Sequence, residues 1–160
     1  RDDPAVVFAR RLITRPAEAG GEDHLAVSSA EFAARRDAGG LLLHWRAHGL
    51  DYGLPEELAA ALDSGRCVVA NVSRTVVAEA RRRLAPVVVV TVTAAPETLA
   101  ARLAGRGRET AADIAGRLRR SDAVSPVEAD MVIDNDGALD AAIGRFVAVL
   151  RRATAQPASR

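Results

Sequence analysis

Residues 67–92 read CVVANVSRTVVAEARRRLAPVVVVTV. Two apolar runs, Cys67 to Val72 and Val87 to Val92, flank a segment from about Arg74 to Leu84 whose composition suits a helix. Strand, helix and strand in succession are typical of a parallel sheet with helices on its faces. The second run has no polar alternation, so we predict that it is the most buried strand of the sheet.

The alternation continues toward the C-terminus and supports an α/β fold. We predict helices from Pro96 to about Ala104, from about Thr110 to Ala123 and from Leu139 to about Ala153. A short strand from Met131 to Ile133 follows the second of these helices. The composition of Asp134 to Gly137 then predicts a turn.

The N-terminal half contains a clear helix start. Ser28 and Glu31 have the spacing of a capping box, which predicts a helix from there to about Asp37. The other elements of this half are predicted as a β-rich stretch (Val6–Ile13), a short strand (Leu41–Trp45), a loop (His48–Gly53) and a helix that begins at Pro55-Glu56-Glu57.

Composition limits the possible classes of function. With 160 residues we expect a single domain over residues 1–160, and with 3% aromatic residues a core of aliphatic side chains. The net charge of +1 gives no overall electrostatic reason to expect a nucleic-acid or membrane partner.

Cys67 is the only cysteine, and no signal peptide is visible, so we expect a cytoplasmic protein. Nothing in the composition determines the oligomeric state.

Several short motifs in order along the chain resemble the guanylate kinase family. They are Thr14-Arg15-Pro16, Gly21-Glu22-Asp23-His24, Glu31-Phe32, Gly49-Leu50-Asp51-Tyr52-Gly53, Arg102-Leu103 and Gly105-Arg106-Gly107-Arg108. The resemblance implies a three-layer parallel sheet of the P-loop nucleoside monophosphate kinase type. It also implies two inserted segments, an acceptor-binding part at about residues 14–55 and a lid at about residues 105–123.

Within that superfamily the chain most resembles the ribose 1,5-bisphosphate phosphokinases of phosphonate breakdown. The likeness rests on Ile13-Thr14-Arg15-Pro16, on Gly20-Gly21-Glu22-Asp23-His24, and on the stretch from His44 to Leu50. Guanylate kinases carry a glutamate that reads guanine where this chain has Leu43, which can accept no hydrogen bond. The resemblance therefore favours transfer from ATP to a sugar phosphate. A nucleoside monophosphate kinase, or a binding module of the same shape without catalysis, remains an alternative.

Kinases of this type cradle the ATP phosphates with a glycine-rich loop that ends in lysine, and these 160 residues contain 22 arginines and no lysine. We therefore expect that the N-terminal strand, loop and helix are missing from this sequence. ATP and Mg²⁺ would be bound mainly by that missing part. Residues 1–160 by themselves are expected to bind ATP poorly and to transfer no phosphoryl group.

Candidate site residues follow from the motifs. Arg15 lies at a strand end beside a loop and is the best candidate for gripping the acceptor phosphate; His24, His48 and Tyr52 are further substrate-binding candidates. Two histidines, His44 and His48, offer no third ligand, so we expect no metal site in these residues. From the resemblance, the lid supplies Arg106 and Arg117 as catalytic residues and Arg108 and Arg120 as phosphate ligands, with Asn135 on the adenine side.

Overall fold

The computed structural model describes residues 3–19, 22–105 and 127–155. The chain divides into two compact units, one formed by residues 1–87 and 150–160 and the other by residues 88–149. The predicted helix from Thr110 to Ala123 lies outside the described residues. The prediction of one domain over residues 1–160 remains a prediction.

The first unit contains a four-stranded mixed sheet. Its strand order is β3-β2-β5-β4, in which β2 runs parallel to β3 and antiparallel to β5, and β4 runs antiparallel to β5. The strands and the helix that precedes β4 are β2 (Leu12–Ile13), β3 (Leu25–Ala26), α1 (Ser29–Asp37), β4 (Leu41–Ala47) and β5 (Leu50–Pro55).

A second, parallel strand pair belongs to the same unit and carries two short helices. Strand β1 pairs with β6 in register, from Val6 opposite Cys67 to Phe8 opposite Val69. Burial raises the pKa of the Cys67 thiol. The elements are β1 (Val6–Phe8), α2 (Leu58–Asp63), β6 (Cys67–Val69) and α3 (Val77–Arg83), with a short 3₁₀ turn (Arg74–Val76) leading into α3.

The core of this unit lies between the mixed sheet and α3. Leu43 and Ile13 from the sheet cluster with Val76 and Ala80 from the helical side. A smaller cluster on the other side joins Leu12 to Phe32 of α1. The neighbouring residues Leu12 and Ile13 of β2 therefore send their side chains to different clusters, as the alternation of a pleated sheet requires.

The loop predicted from His48 to Gly53 is wrong, because Leu50–Pro55 forms strand β5 of a hairpin with β4. The connection is only His48 and Gly49, and both have positive φ, 52° and 75°. Two consecutive left-handed residues are what a tight hairpin turn requires, and glycine supplies the second at no steric cost. The polar and glycine-containing residues that suggested a loop belong to this turn and to strand β5, which follows it.

The second unit contains a parallel strand pair and two helices. Strand β7 pairs with β8 from Val90 opposite Met131 to Thr93 opposite Asp134. The elements are β7 (Val90–Thr93), α4 (Pro96–Gly105), β8 (Met131–Asp134) and α5 (Leu139–Ala155, the end of which falls in the first unit).

The prediction that Val87 to Val92 is the most buried strand is wrong. Strand β7 begins at Val90, its side chains are half-buried or exposed, and Val92 is 58% exposed. Among the described residues β7 has one hydrogen-bonded neighbour, β8, so this strand is not enclosed on both sides. An uninterrupted apolar run predicted the strand but not its burial.

The described helices include none that is long and apolar enough to cross a membrane.

Candidate substrate site

Arg15 leaves the sheet directly after β2, and two hydrogen bonds fix that exit. The Thr14 N–H donates to the Asp51 carbonyl oxygen at 3.1 Å. The Asp51 N–H donates to Thr14 Oγ1 at 2.9 Å. Because both bonds join Thr14, the residue after β2, to Asp51 of β5, the backbone that carries Arg15 is tied to the hairpin.

The Arg15 side chain, 26% exposed, lines an open groove of about 450 Å³ beside the first turn of α1. Ser28 closes a capping box at this turn: its hydroxyl accepts from the Glu31 N–H, and the Glu31 carboxylate accepts from the Ser28 N–H at 2.7 Å. Hydrogen bonds from Ser28, its backbone N–H first, hold the pKa of Glu31 below its ordinary value. The groove thus joins a guanidinium to the positive end of a helix, with one fixed carboxylate at its edge.

A second arginine, Arg11, lies in the same cluster. Its guanidinium grips both carboxylate oxygens of Glu22, with Nε at 3.0 Å from Oε2 and Nη2 against Oε1. The same Oε1 lies 3.9 Å from Nη2 of Arg15. Glu22 therefore lies between two guanidinium groups and is bound mainly to Arg11.

Two stacked rings lie under the Arg11 guanidinium. Trp45 and Tyr52 are paired across β4 and β5, with ring centroids 5.5 Å apart and planes 5° from parallel. The carbon of the Arg11 guanidinium is 5.2 Å from the Tyr52 ring centroid and 5.9 Å from that of Trp45. The sequence predicted Tyr52 as a substrate ligand, and the structure shows its buried ring as part of the support for Arg11.

His24 is buried, with a backbone carbonyl oxygen near each of its ring nitrogens. Nδ1 lies 3.1 Å from the Glu22 carbonyl oxygen, and Nε2 lies 3.2 Å from the Arg15 carbonyl oxygen. With 6% of the residue exposed, the ring faces backbone instead of the groove. This geometry favours a structural role for His24 over the direct substrate contact that the sequence predicted.

The remaining predicted site residues lie elsewhere. His48 is exposed in the hairpin turn. In the second unit, Asn135 follows β8, where its N–H donates to the Thr93 carbonyl oxygen at 2.8 Å and its Oδ1 is a buried acceptor without a hydrogen-bond partner among the described residues. The four predicted lid arginines, Arg106, Arg108, Arg117 and Arg120, lie outside the described residues.

Arg11 and Glu22 are the residues to which the sequence assigned no role. Glu22 stood within a recognised motif, but its partner is 11 residues away on the other side of β2 and a short 3₁₀ turn. Only the pairing of the strands brings the two together. The one signal in the sequence was Glu22 itself, because a carboxylate in a motif expected to bind phosphate needs a cationic partner.

Comparisons with known proteins find similar ribose 1,5-bisphosphate kinases and a similar guanylate kinase structure. No family model matches the chain. The chain is 54% identical over 149 residues to ribose 1,5-bisphosphate phosphokinase PhnN of Acidiphilium cryptum, covering 93% of this chain and 78% of that protein. It is 47% identical over 160 residues to the bifunctional ribose 1,5-bisphosphokinase-thymidine phosphorylase of Cupriavidus pinatubonensis, of which it spans 27%. The crystal structure of guanylate kinase from Anaplasma phagocytophilum matches with a TM-score of 0.70 at 22% identity, covering 95% of this chain and 77% of that one. This likeness confirms the predicted fold class.

Proposed function

This chain belongs to the family of ribose 1,5-bisphosphate phosphokinases, and on that basis we propose that it transfers the γ-phosphoryl group of ATP to the 1-phosphate of ribose 1,5-bisphosphate. The products are ADP and 5-phosphoribosyl 1-pyrophosphate. We place the reaction in the breakdown of phosphonates.

The observation that carries the acceptor assignment is the contrast between Arg15 and Leu43. Arg15 offers a guanidinium to the groove, as a phosphate ligand must. Leu43 is 2% exposed in the hydrophobic core, so the position that reads guanine in guanylate kinases is here neither polar nor accessible. A site that can grip phosphate but offers no base-reading carboxylate at this position suits a sugar phosphate better than GMP.

The chemistry needs little from the protein besides positioning and charge. The acceptor is a phosphate monoester whose second pKa is about 6, so it is largely ionised at neutral pH and needs no strong general base. One of its oxygens attacks the γ-phosphorus, the bond from that phosphorus to the β–γ bridging oxygen breaks, and ADP leaves. Arg15 would hold the acceptor phosphate during this step. We assign Arg106 and Arg117 to the charge of the transferring group, with Arg108 and Arg120 as supporting phosphate ligands.

ATP and Mg²⁺ belong to the proposal, with a limited part for the described residues. The Oδ1 of Asn135, which is buried and has no hydrogen-bond partner among the described residues, suits a donor such as the adenine amino group. Mg²⁺ is held largely by substrate phosphates and water, and the described residues contain no group of three His, Cys, Asp or Glu side chains that could hold it. Residues 1–160 contain no lysine, so they supply no lysine ligand to the phosphates of ATP.

The test is direct detection of the product. Phosphorus NMR would follow a reaction mixture of ATP, Mg²⁺, ribose 1,5-bisphosphate and the protein. For this test a glycine-rich strand-loop-helix unit is added before residue 1. We expect the pyrophosphate signals of 5-phosphoribosyl 1-pyrophosphate to appear with the parent and with the control Arg36→Ala, which removes an exposed arginine near the far end of α1. They should be strongly reduced in Arg15→Ala. Absence of product with the parent would refute the proposed function.

A further inference from the structure

We propose that Arg11 is a positioning residue for the acceptor phosphate: by holding both oxygens of Glu22, it keeps that carboxylate from capturing Arg15. The proposal rests on the proposed function, in which Arg15 grips the acceptor. It assigns a role to a side chain that lines no part of the groove described above.

The first argument is the unequal distance of Glu22 from its two neighbours. The Arg11 fork contacts both carboxylate oxygens, whereas Arg15 Nη2 lies 3.9 Å from one of them. A bidentate guanidinium-carboxylate pair is shorter and stronger than a single long contact. The negative charge of Glu22 is therefore compensated mainly by Arg11.

The second argument is that Arg11 is itself held in place. Its side chain is 12% exposed, and its guanidinium lies over the stacked rings of Tyr52 and Trp45. A cation over an aromatic face gains electrostatic energy, and more so when it is shielded from water. The neighbouring Arg10, in contrast, pairs with Asp23 at the surface, where its side chain is 52% exposed.

The third argument is that the backbone prevents Glu22 from moving away. The two ring nitrogens of His24 lie 3.1 Å from the Glu22 carbonyl oxygen and 3.2 Å from the Arg15 carbonyl oxygen, so the backbones of both residues lie against one buried ring. Among the described residues, Arg15 is the other guanidinium within 4 Å of the Glu22 carboxylate.

The consequence concerns a highly charged acceptor. The guanidiniums of Arg11 and Arg15 outnumber the carboxylate of Glu22, so these three side chains together carry one net positive charge. Because Arg11 holds both oxygens of Glu22, a bisphosphate that approaches Arg15 competes less with the Glu22 carboxylate. Without Arg11 the substrate would have to compete with a tethered anion.

The experiment is a double-mutant cycle on binding of ribose 1,5-bisphosphate, measured by titration calorimetry. We expect Arg11→Met to raise the Kd by about tenfold, because a tethered carboxylate then competes for Arg15. Adding Glu22→Gln should bring the Kd back to within about threefold of the parent, because the competitor is gone. The matched control Arg10→Met, which removes the adjacent exposed arginine, should leave the Kd unchanged.

If the role of Arg11 is purely structural, adding Glu22→Gln to Arg11→Met should not restore binding. If the double variant binds no better than Arg11→Met, the proposal is overturned. Should Arg11→Met fail to fold, Glu22→Gln alone decides, since the proposal requires binding as tight as the parent or tighter, and weaker binding overturns it. Arg15→Ala distinguishes failure of the proposed function from failure of the role of Arg11. If Arg15→Ala leaves the Kd unchanged, the assignment of Arg15 to the acceptor phosphate fails. If Arg15→Ala weakens binding but Arg11→Met does not, only the role of Arg11 fails.

Discussion

At the scale of single residues, Arg15 is the candidate ligand of the acceptor phosphate. We predict that Arg15→Ala loses a charge-assisted hydrogen bond worth about 1.5–3 kcal/mol, or about 10- to 150-fold in kcat/KM. Arg15→Lys should recover only part of this, because an ammonium group cannot bind two phosphate oxygens in one plane. Steady-state kinetics with ribose 1,5-bisphosphate would check both variants, and near-parent activity in Arg15→Ala would refute its role.

Leu43 gives a second prediction at this scale. Leu43→Glu would place a carboxyl group in the aliphatic core, which we expect to destabilise the fold by about 3 kcal/mol and not to create GMP kinase activity. Leu43→Met keeps volume and polarity similar and should cost less than about 1.5 kcal/mol. Urea unfolding of both variants tests this. A Leu43→Glu protein as stable as the parent that phosphorylates GMP would contradict the account.

The sequence revealed some of these residues but not their connections. The position of Arg15 after a strand could be predicted, because a strand end next to a proline is a local signal from Ile13 to Pro16. Its role as a phosphate ligand stays a prediction. The grip of Arg11 on Glu22 and the burial of His24 depend on β2 pairing with β3 and β5, which no local pattern specifies. His24 was therefore predicted as a ligand, although the structure turns its ring toward backbone.

At the scale of secondary-structure elements, the start of α1 is the clearest case of local control. The capping box predicted from Ser28 and Glu31 is confirmed with both of its hydrogen bonds. We predict that Ser28→Ala destabilises the protein by about 1 kcal/mol, because the Glu31 N–H loses its acceptor. Ser64→Ala, at the C-terminal end of α2, removes a similarly exposed hydroxyl and serves as the control. Equal unfolding midpoints for the two variants in urea would contradict the prediction.

In the second unit, Asp136 links the turn after β8 to the start of α4. Its Oδ1 accepts from the Ala95 N–H at 2.6 Å, and this bond, followed by one from the Thr98 side chain, lowers the pKa of Asp136. A carboxyl group whose pKa is lower in the folded state stabilises the fold above its unfolded pKa, and this contribution is lost as the pH falls through the folded pKa. The stabilisation should therefore be complete at neutral pH and disappear in acid.

The test compares Asp136→Asn with the parent across pH. We expect the thermal midpoint of the variant, followed by circular dichroism, to lie below that of the parent at pH 7 and the difference to vanish at a pH below the folded pKa of Asp136. Asp140→Asn, which removes an acidic group from the first turn of α5, is the matched control. A difference that is independent of pH would contradict a role for the ionised carboxylate.

The hairpin shows why some elements could not be predicted. Strand β5 contains Asp51 and Gly53, residues that are uncommon in strands, so its composition resembled a loop. The cross-strand stack of Tyr52 on Trp45 and the two left-handed residues of the turn stabilise the strand instead. The ring stack joins residues seven apart, which a reading of consecutive residues does not detect.

At the scale of the whole molecule, the fold class was predicted and is confirmed by the likeness to a guanylate kinase at a TM-score of 0.70. The order of several weak motifs carried that prediction, because each motif alone occurs in unrelated proteins. Burial was harder to predict, as strand β7 shows, since it depends on which neighbours a strand acquires. Family membership and the aliphatic surroundings of Leu43 together lead to the central claim, that the acceptor is a ribose bisphosphate and not a guanine nucleotide.

The most direct test of that claim is a calorimetric titration of the protein with ribose 1,5-bisphosphate and, separately, with GMP. We predict that ribose 1,5-bisphosphate binds more tightly by at least about tenfold, because Arg15 can grip its phosphate while GMP would leave its base without a partner at Leu43. Binding of GMP as tight as or tighter than that of ribose 1,5-bisphosphate would contradict the account.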